Sequence, residues 1–168
     1  MKQFWHKNKK LSGLLFILLA VVAIGVALPQ PKQIESANMK LTEVEYDPFD
    51  TEYALTKEQL LQKRYMLIEF FTLQCPHCER SIPLLNELQK HKDLSVVGYT
   101  MESSSKVKEY AKKHDVRYPL SRASVNYMNI FEPVVVPMSF LIDTQTMEVK
   151  EKFLGKFEAK SVLEIIND

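Results

Sequence analysis

Cysteine is scarce: the 168 residues contain two, Cys75 and Cys78. A framework of several disulfides is therefore excluded, and no cysteine lies near the N-terminal apolar segment to form a lipobox. Tryptophan occurs once, as Trp5, so a redox change at the cysteines has no tryptophan beside it to report it. Glycine occurs four times, and there is no low-complexity segment or internal repeat. Neither charge dominates, with 22 basic and 21 acidic residues. The distribution is uneven, however. Lys2, Lys7, Lys9 and Lys10 precede residue 28 with no acid among them, leaving 18 basic and 21 acidic residues beyond it. A mildly acidic domain has no electrostatic footprint for nucleic acid.

Residues 11–28, LSGLLFILLAVVAIGVAL, carry no charge. A bilayer-spanning helix needs roughly 17–25 such residues. The cationic flank predicts that the N-terminus stays inside and the rest of the chain lies outside. The competing reading is a cleaved signal peptide, with Gly25-Val26-Ala27 as the cleavage site. The apolar run exceeds the roughly 7–15 residues of a signal core, which favours an uncleaved anchor. Either way the main domain is expected outside the cytoplasm. The organisation is thus a basic tail at 1–10, a transmembrane signal-anchor at 11–28, a linker at 29–41 and one folded domain at 42–168.

Within that domain, Val44, Tyr46 and Phe49 suggest a short strand and turn. Thr56-x-x-Gln59 resembles a capping box opening a short helix to about residue 63. Residues 65–71 are apolar and aromatic except for Glu69, which reads as a buried central strand. A helix begins at Cys75, with Ile82, Leu84, Leu85 and Leu88 at helical spacing and Pro83 inside it. A second buried strand is expected over 94–99 and a charged helix over 105–114, with Val107, Tyr110 and Ala111 inward. A short helix over 125–131, a hairpin over 137–154 and a last helix over 158–166 complete the pattern. Parallel strands with crossover helices followed by a hairpin predict an α/β sheet with one reversed edge.

Cys75-Pro76-His77-Cys78 lies where the central strand passes into a helix. A helix N-terminus offers partial positive charge and unpaired N–H groups, which favour a thiolate over a thiol. A disulfide closing a two-residue gap constrains little of the unfolded chain, so it makes a poor scaffold and a good switch. A structural pair and a metal site remain as alternatives. Tetrahedral zinc wants four ligands, and His91 and His114 lie too far along the chain to be assigned; a copper carrier needs fewer.

The C-x-x-C after a buried strand, the mid-helix Pro83, Glu69 six residues before Cys75, and Val136-Pro137 before Ser139-Phe140-Leu141-Ile142-Asp143 together resemble the thioredoxin fold. The resemblance covers about 42–168 and implies a mixed β-sheet flanked by helices, here preceded by one transmembrane helix. The anchor, Tyr118-Pro119-Leu120 and the P-x-x-F-L-I-D run resemble the TlpA/ResA group of anchored oxidoreductases. That group often has an acid where this chain has Ser81. Cys-Pro-His-Cys, Ile68-Glu69-Phe70-Phe71 and the valine before Pro137 resemble the DsbA-type thiol oxidases. Their helical insertion does not fit in the roughly 55 residues between Cys78 and Val136. Gln74 also replaces the tryptophan that often precedes the motif.

The resemblance implies that Cys75 is the nucleophile and Cys78 resolves the mixed disulfide. His77, if it reaches the Cys75 sulfur, stabilises the thiolate and makes the disulfide more oxidising; otherwise it is a solvent histidine. Glu69 either exchanges a proton with Cys78 from a buried site or pairs with Lys57 or Lys63. Pro137, if cis, holds its loop against the cysteines and exposes the Val136 backbone to an extended substrate; otherwise it is an ordinary turn proline, like Pro133 nearby. The expected function is an extracytoplasmic oxidase acting on secreted protein thiols, with a reductase of the TlpA/ResA type, acting for example on apocytochrome c thiols, as the alternative. Both need a membrane redox partner, a quinone-linked oxidase or an electron conduit, because no further cysteine or haem attachment motif is present. No cofactor or resident metal is expected.

Overall fold

A computed structural model describes residues 39–167. The expected tail, anchor and most of the linker lie outside the described residues. Among those described, no helix is long and apolar enough to cross a membrane.

The chain forms α1 (Lys57–Leu61), β1 (Tyr65–Phe70), α2 (Pro76–Leu88), β2 (Leu94–Thr100) and α3 (Ser104–Lys113). It continues through β3 (Leu120–Arg122), α4 (Val125–Phe131), β4 (Met138–Asp143), β5 (Glu148–Leu154) and α5 (Ala159–Asn167). The strands make one sheet in the order β3-β2-β1-β4-β5. β1 and β2 are parallel, as are β2 and β3, whereas β4 is antiparallel to both β1 and β5.

Every residue of β1 is buried, because this central strand is covered on both faces. Alternation along it divides the interior into two cores. Tyr65, Leu67 and Phe71 face α2, α3 and α5. Met66, Ile68 and Phe70 face α1 and α4 through Leu60, Tyr127 and Phe131. Glu69 falls on the first face, opposite Gly98 of β2 and Ser139 of β4.

The capping box is present in full, with Thr56 Oγ1 accepting from Gln59 N–H at 3.2 Å and Gln59 Oε1 accepting from Thr56 N–H at 2.8 Å. Two local expectations need correction. Residues 44–49 form no strand; the segment touches the sheet through an isolated bridge at Pro48 while Val44 and Phe49 are buried. Pro48 lacks the N–H that a continuing ladder would use. Secondly, the reversed strand is β4, which is interior; the edge strand β5 runs in the same direction as β1. β3 answers to no expectation from the sequence: it has only three residues, too few for a periodicity to show, and it docks on β2 beside the Gly98 N–H to Pro119 carbonyl bond of 3.0 Å.

Candidate redox site

β1 delivers the chain to the site and α2 begins there. Phe71 still donates to the Tyr99 carbonyl at 3.0 Å, and a turn then closes with Cys75 N–H on the Thr72 carbonyl at 3.3 Å. Cys75 is the N-cap of α2, with extended backbone, and its Sγ accepts the Cys78 N–H at 3.1 Å. Pro76 occupies the first turn, where its missing N–H leaves no helical bond unmade. Cys75 and Cys78 are joined as a disulfide, with Cα atoms 5.2 Å apart. The two cysteines are not equivalent: Cys75 keeps 8% exposure and Cys78 1%. An incoming group therefore meets Cys75 first.

The opposite wall comes from the far side of the sequence. Glu132 in the left-handed region closes α4, and residues 133–137 then run to the start of β4. The Val136–Pro137 peptide bond is cis. The Val136 carbonyl oxygen lies 3.6 Å from Cys75 Sγ, and the Pro137 carbonyl accepts the Gly155 N–H at 2.9 Å. Val134, Val135 and Val136, on the loop whose Val136 carbonyl reaches the sulfur, are exposed, as is Met101. Together with Phe71, Met128 and Pro133, Met101 and Val136 border an apolar groove of about 450 Å³.

Glu69 lies beneath this surface with 1% exposure. Burial pushes its carboxyl up to about 7, although hydroxyls of Ser81 and Ser139 partly oppose the shift. Ser81 Oγ is 2.8 Å from Glu69 Oε1, and Ser139 Oγ is 3.4 Å from Oε2. Neither lysine considered as a partner reaches it. Lys63 Nζ donates to the carbonyls of Gln89, His91 and Leu94, and Lys57 lies 3.9 Å from Glu43. Desolvation, with no cation to offset it, sets the titration of Glu69.

His77 is exposed on the first turn of α2, and its Nδ1 is 2.9 Å from Arg80 Nη2. A guanidinium can only donate, so Nδ1 is the acceptor and any ring proton sits on Nε2. Among the described residues, no hydrogen bond from His77 reaches Cys75. The site thus brings together Cys75, Cys78, Val136 and Pro137, sets Glu69 behind them, and turns His77 toward Arg80. Sequence reasoning did not single out Ser139. The available signal was a polar residue inside an apolar strand, in register with Glu69. Ser81 stood out only as a departure from the TlpA/ResA pattern. Among the described residues, no three His, Cys, Asp or Glu side chains gather as a metal site would require.

The AhpC/TSA family model matches residues 37–151. This chain belongs to the AhpC/TSA family. The chain is 26% identical over 165 residues to the thiol-disulfide oxidoreductase ResA of Bacillus cereus, covering 94% of each chain. It is 33% identical over 98 residues to the thiol-disulfide oxidoreductase YkuV of Bacillus subtilis, covering 53% of this chain and 66% of that one. A thiol-disulfide isomerase structure from Corynebacterium glutamicum superposes with a TM-score of 0.63 at 16% identity, covering 77% of this chain and 95% of that one. That likeness establishes the thioredoxin-like fold for this member of the AhpC/TSA family.

Proposed function

We propose that the chain is a thiol-disulfide oxidoreductase of the ResA type, working as a reductase outside the cytoplasm with residues 11–28 as its anchor. One observation carries the chemistry: the less buried cysteine of a C-x-x-C pair caps a helix with its sulfur 3.6 Å from the Val136 carbonyl oxygen. Two further points support the direction. The similarity to ResA extends over nearly the whole chain, and the imidazole that would favour an oxidant is engaged by Arg80.

In the dithiol form the Cys78 N–H and the first turn of α2 favour the Cys75 thiolate. That thiolate attacks one sulfur of a client disulfide; the Cys75–client bond forms and the other client sulfur leaves as a thiolate that takes a proton. Cys78, its proton passed to Glu69, then attacks the Cys75 sulfur and releases the second client thiolate. Two electrons have moved to the client, and the enzyme is left with the Cys75–Cys78 disulfide. A membrane electron conduit must return two electrons; the proton held by Glu69 goes back to Cys78, and each released client thiolate takes its proton from solvent. The Val136 backbone and the exposed valines hold an extended client segment over the sulfur.

A second reading, an oxidase running the same steps in reverse, is favoured by the Cys-Pro-His-Cys motif and the exposed Val134–Val136 edge. Thiol trapping in intact cells separates the two. Acid quench, alkylation with a heavy maleimide and a gel shift report this motif alone, since the chain has no other cysteine. A predominantly reduced pair is expected; a predominantly oxidised pair would overturn the reductase reading.

A further inference from the structure

A second cavity, of about 320 Å³, is bordered by His77 of the cysteine motif and shares no lining residue with the apolar groove. Its lining is His77, Arg80, Ser81, Leu84, Lys156 and Phe157. Two cations and no acid face it. Among the described residues neither Arg80 nor Lys156 has a carboxylate within salt-bridge distance, and Glu79, the acid of that helix turn, lies 3.8 Å from His114 instead.

The walls are held by specific contacts. Gly155 takes a left-handed φ of 70°, which favours glycine, and its N–H binds the Pro137 carbonyl at 2.9 Å. This bond ties the turn carrying Lys156 to the loop that faces Cys75. Phe157 stacks on Phe153 with ring centroids 4.6 Å apart. Arg80 is steadied by its 2.9 Å bond to His77 Nδ1. A side chain entering here would lay an aliphatic stem on Leu84 and Phe157 and bring its end to two unpaired cations.

We propose that this cavity is a specificity subsite for an acidic side chain, glutamate above all, flanking the client cysteine that meets Cys75. The inference rests on the reading of Cys75 as the nucleophile, and it names a feature of the client that this reading leaves open. An ion pair at an accessible subsite is worth roughly a two- to fivefold effect, and it weakens with salt.

The test uses the full-length reduced protein in detergent and three peptide disulfides identical except for Glu, Gln or Lys beside the cysteine. Stopped-flow exchange is expected to rank them Glu, Gln, Lys, about two- to fivefold apart at each step, with the spread shrinking at high salt. Lys156→Glu should reverse the Glu-to-Lys ratio, whereas Lys160→Glu, on α5 and paired with Glu164, should leave it alone. The ratio is internal to each protein, so a general loss of activity cancels. Equal rates for the three peptides, or an unchanged ratio in Lys156→Glu, would overturn the subsite. Hydroxyethyl disulfide, small and uncharged, separates the two levels: if the wild type reduces it but ranks the peptides equally, only the subsite fails. If the wild type reduces neither it nor the peptides, the redox reading fails and takes the subsite with it.

Discussion

Ser81 Oγ lies 2.8 Å from Glu69 Oε1, and the same oxygen lies 2.8 Å from the Cys78 carbonyl oxygen. A hydroxyl has one proton, so Ser81 cannot donate to both. When Glu69 is ionised it draws that proton. When Glu69 is protonated it becomes the donor, and the serine is released to the Cys78 carbonyl. The protonation state of the buried acid is thereby coupled to the backbone of Cys78.

The raised Glu69 titration makes stability depend on pH. The folded state binds this proton more tightly than the unfolded chain, because burial moves the group from 4.5 to about 7. Its contribution is complete below about 4.5 and is lost as pH rises through 7, a loss of about 3 kcal/mol. Urea unfolding at pH 5 and pH 8 should show this decline in the wild type and a flatter profile in Glu69→Gln. Equal declines in both proteins would contradict the assignment.

Ser81→Ala removes the hydroxyl that holds the Glu69 titration down, so the midpoint should move higher. The pH profile of disulfide exchange is the readout, and a midpoint that stays or falls would refute the coupling. Stability should also drop by about 1–3 kcal/mol, the range for leaving a buried polar group without its partner.

Gly98 faces Glu69 across β1 and β2, and here the requirement is space, not backbone freedom. A Cβ would meet Leu120 Cδ2 at 2.7 Å, Phe71 Cε1 at 3.0 Å and Tyr118 Cε2 at 3.2 Å, all buried side chains. Gly98→Ala should therefore cost about 1–3 kcal/mol through overpacking, seen as a lower Tm. An unchanged Tm would show that the three neighbours can yield.

Much of this arrangement was legible in the sequence because it rests on strong local signals. The apolar run of β1, the capping box before α1 and the proline after Cys75 each impose structure without distant help. Residues 125–131 became α4 as their pattern predicted. What stayed hidden depends on pairings between distant segments. The three residues of β3 acquire meaning only beside β2, and β4 is interior because β5 covers its outer edge. Ser139 matters through its register with Glu69, and Arg80 through a rotamer that reaches His77. Neither relation leaves a period to be read.

Because His77 Nδ1 is occupied by Arg80, the imidazole should contribute little to the reduction potential. His77→Ala is expected to shift the potential by less than about 30 mV, equivalent to roughly 1.4 kcal/mol. Equilibration with glutathione measures it. A fall well beyond that would mean that His77 supports the Cys75 thiolate after all.

In the proposed reaction Cys75 leads the exchange and Cys78 resolves it. Trapping tests it most directly: full-length Cys78→Ala and Cys75→Ala proteins are incubated with a disulfide-bonded protein and run on a non-reducing gel. Cys78→Ala should accumulate a mixed disulfide that dithiothreitol releases, while Cys75→Ala, whose remaining cysteine is 1% exposed, should form none. Conjugates on Cys75→Ala alone, or on neither protein, would contradict the account.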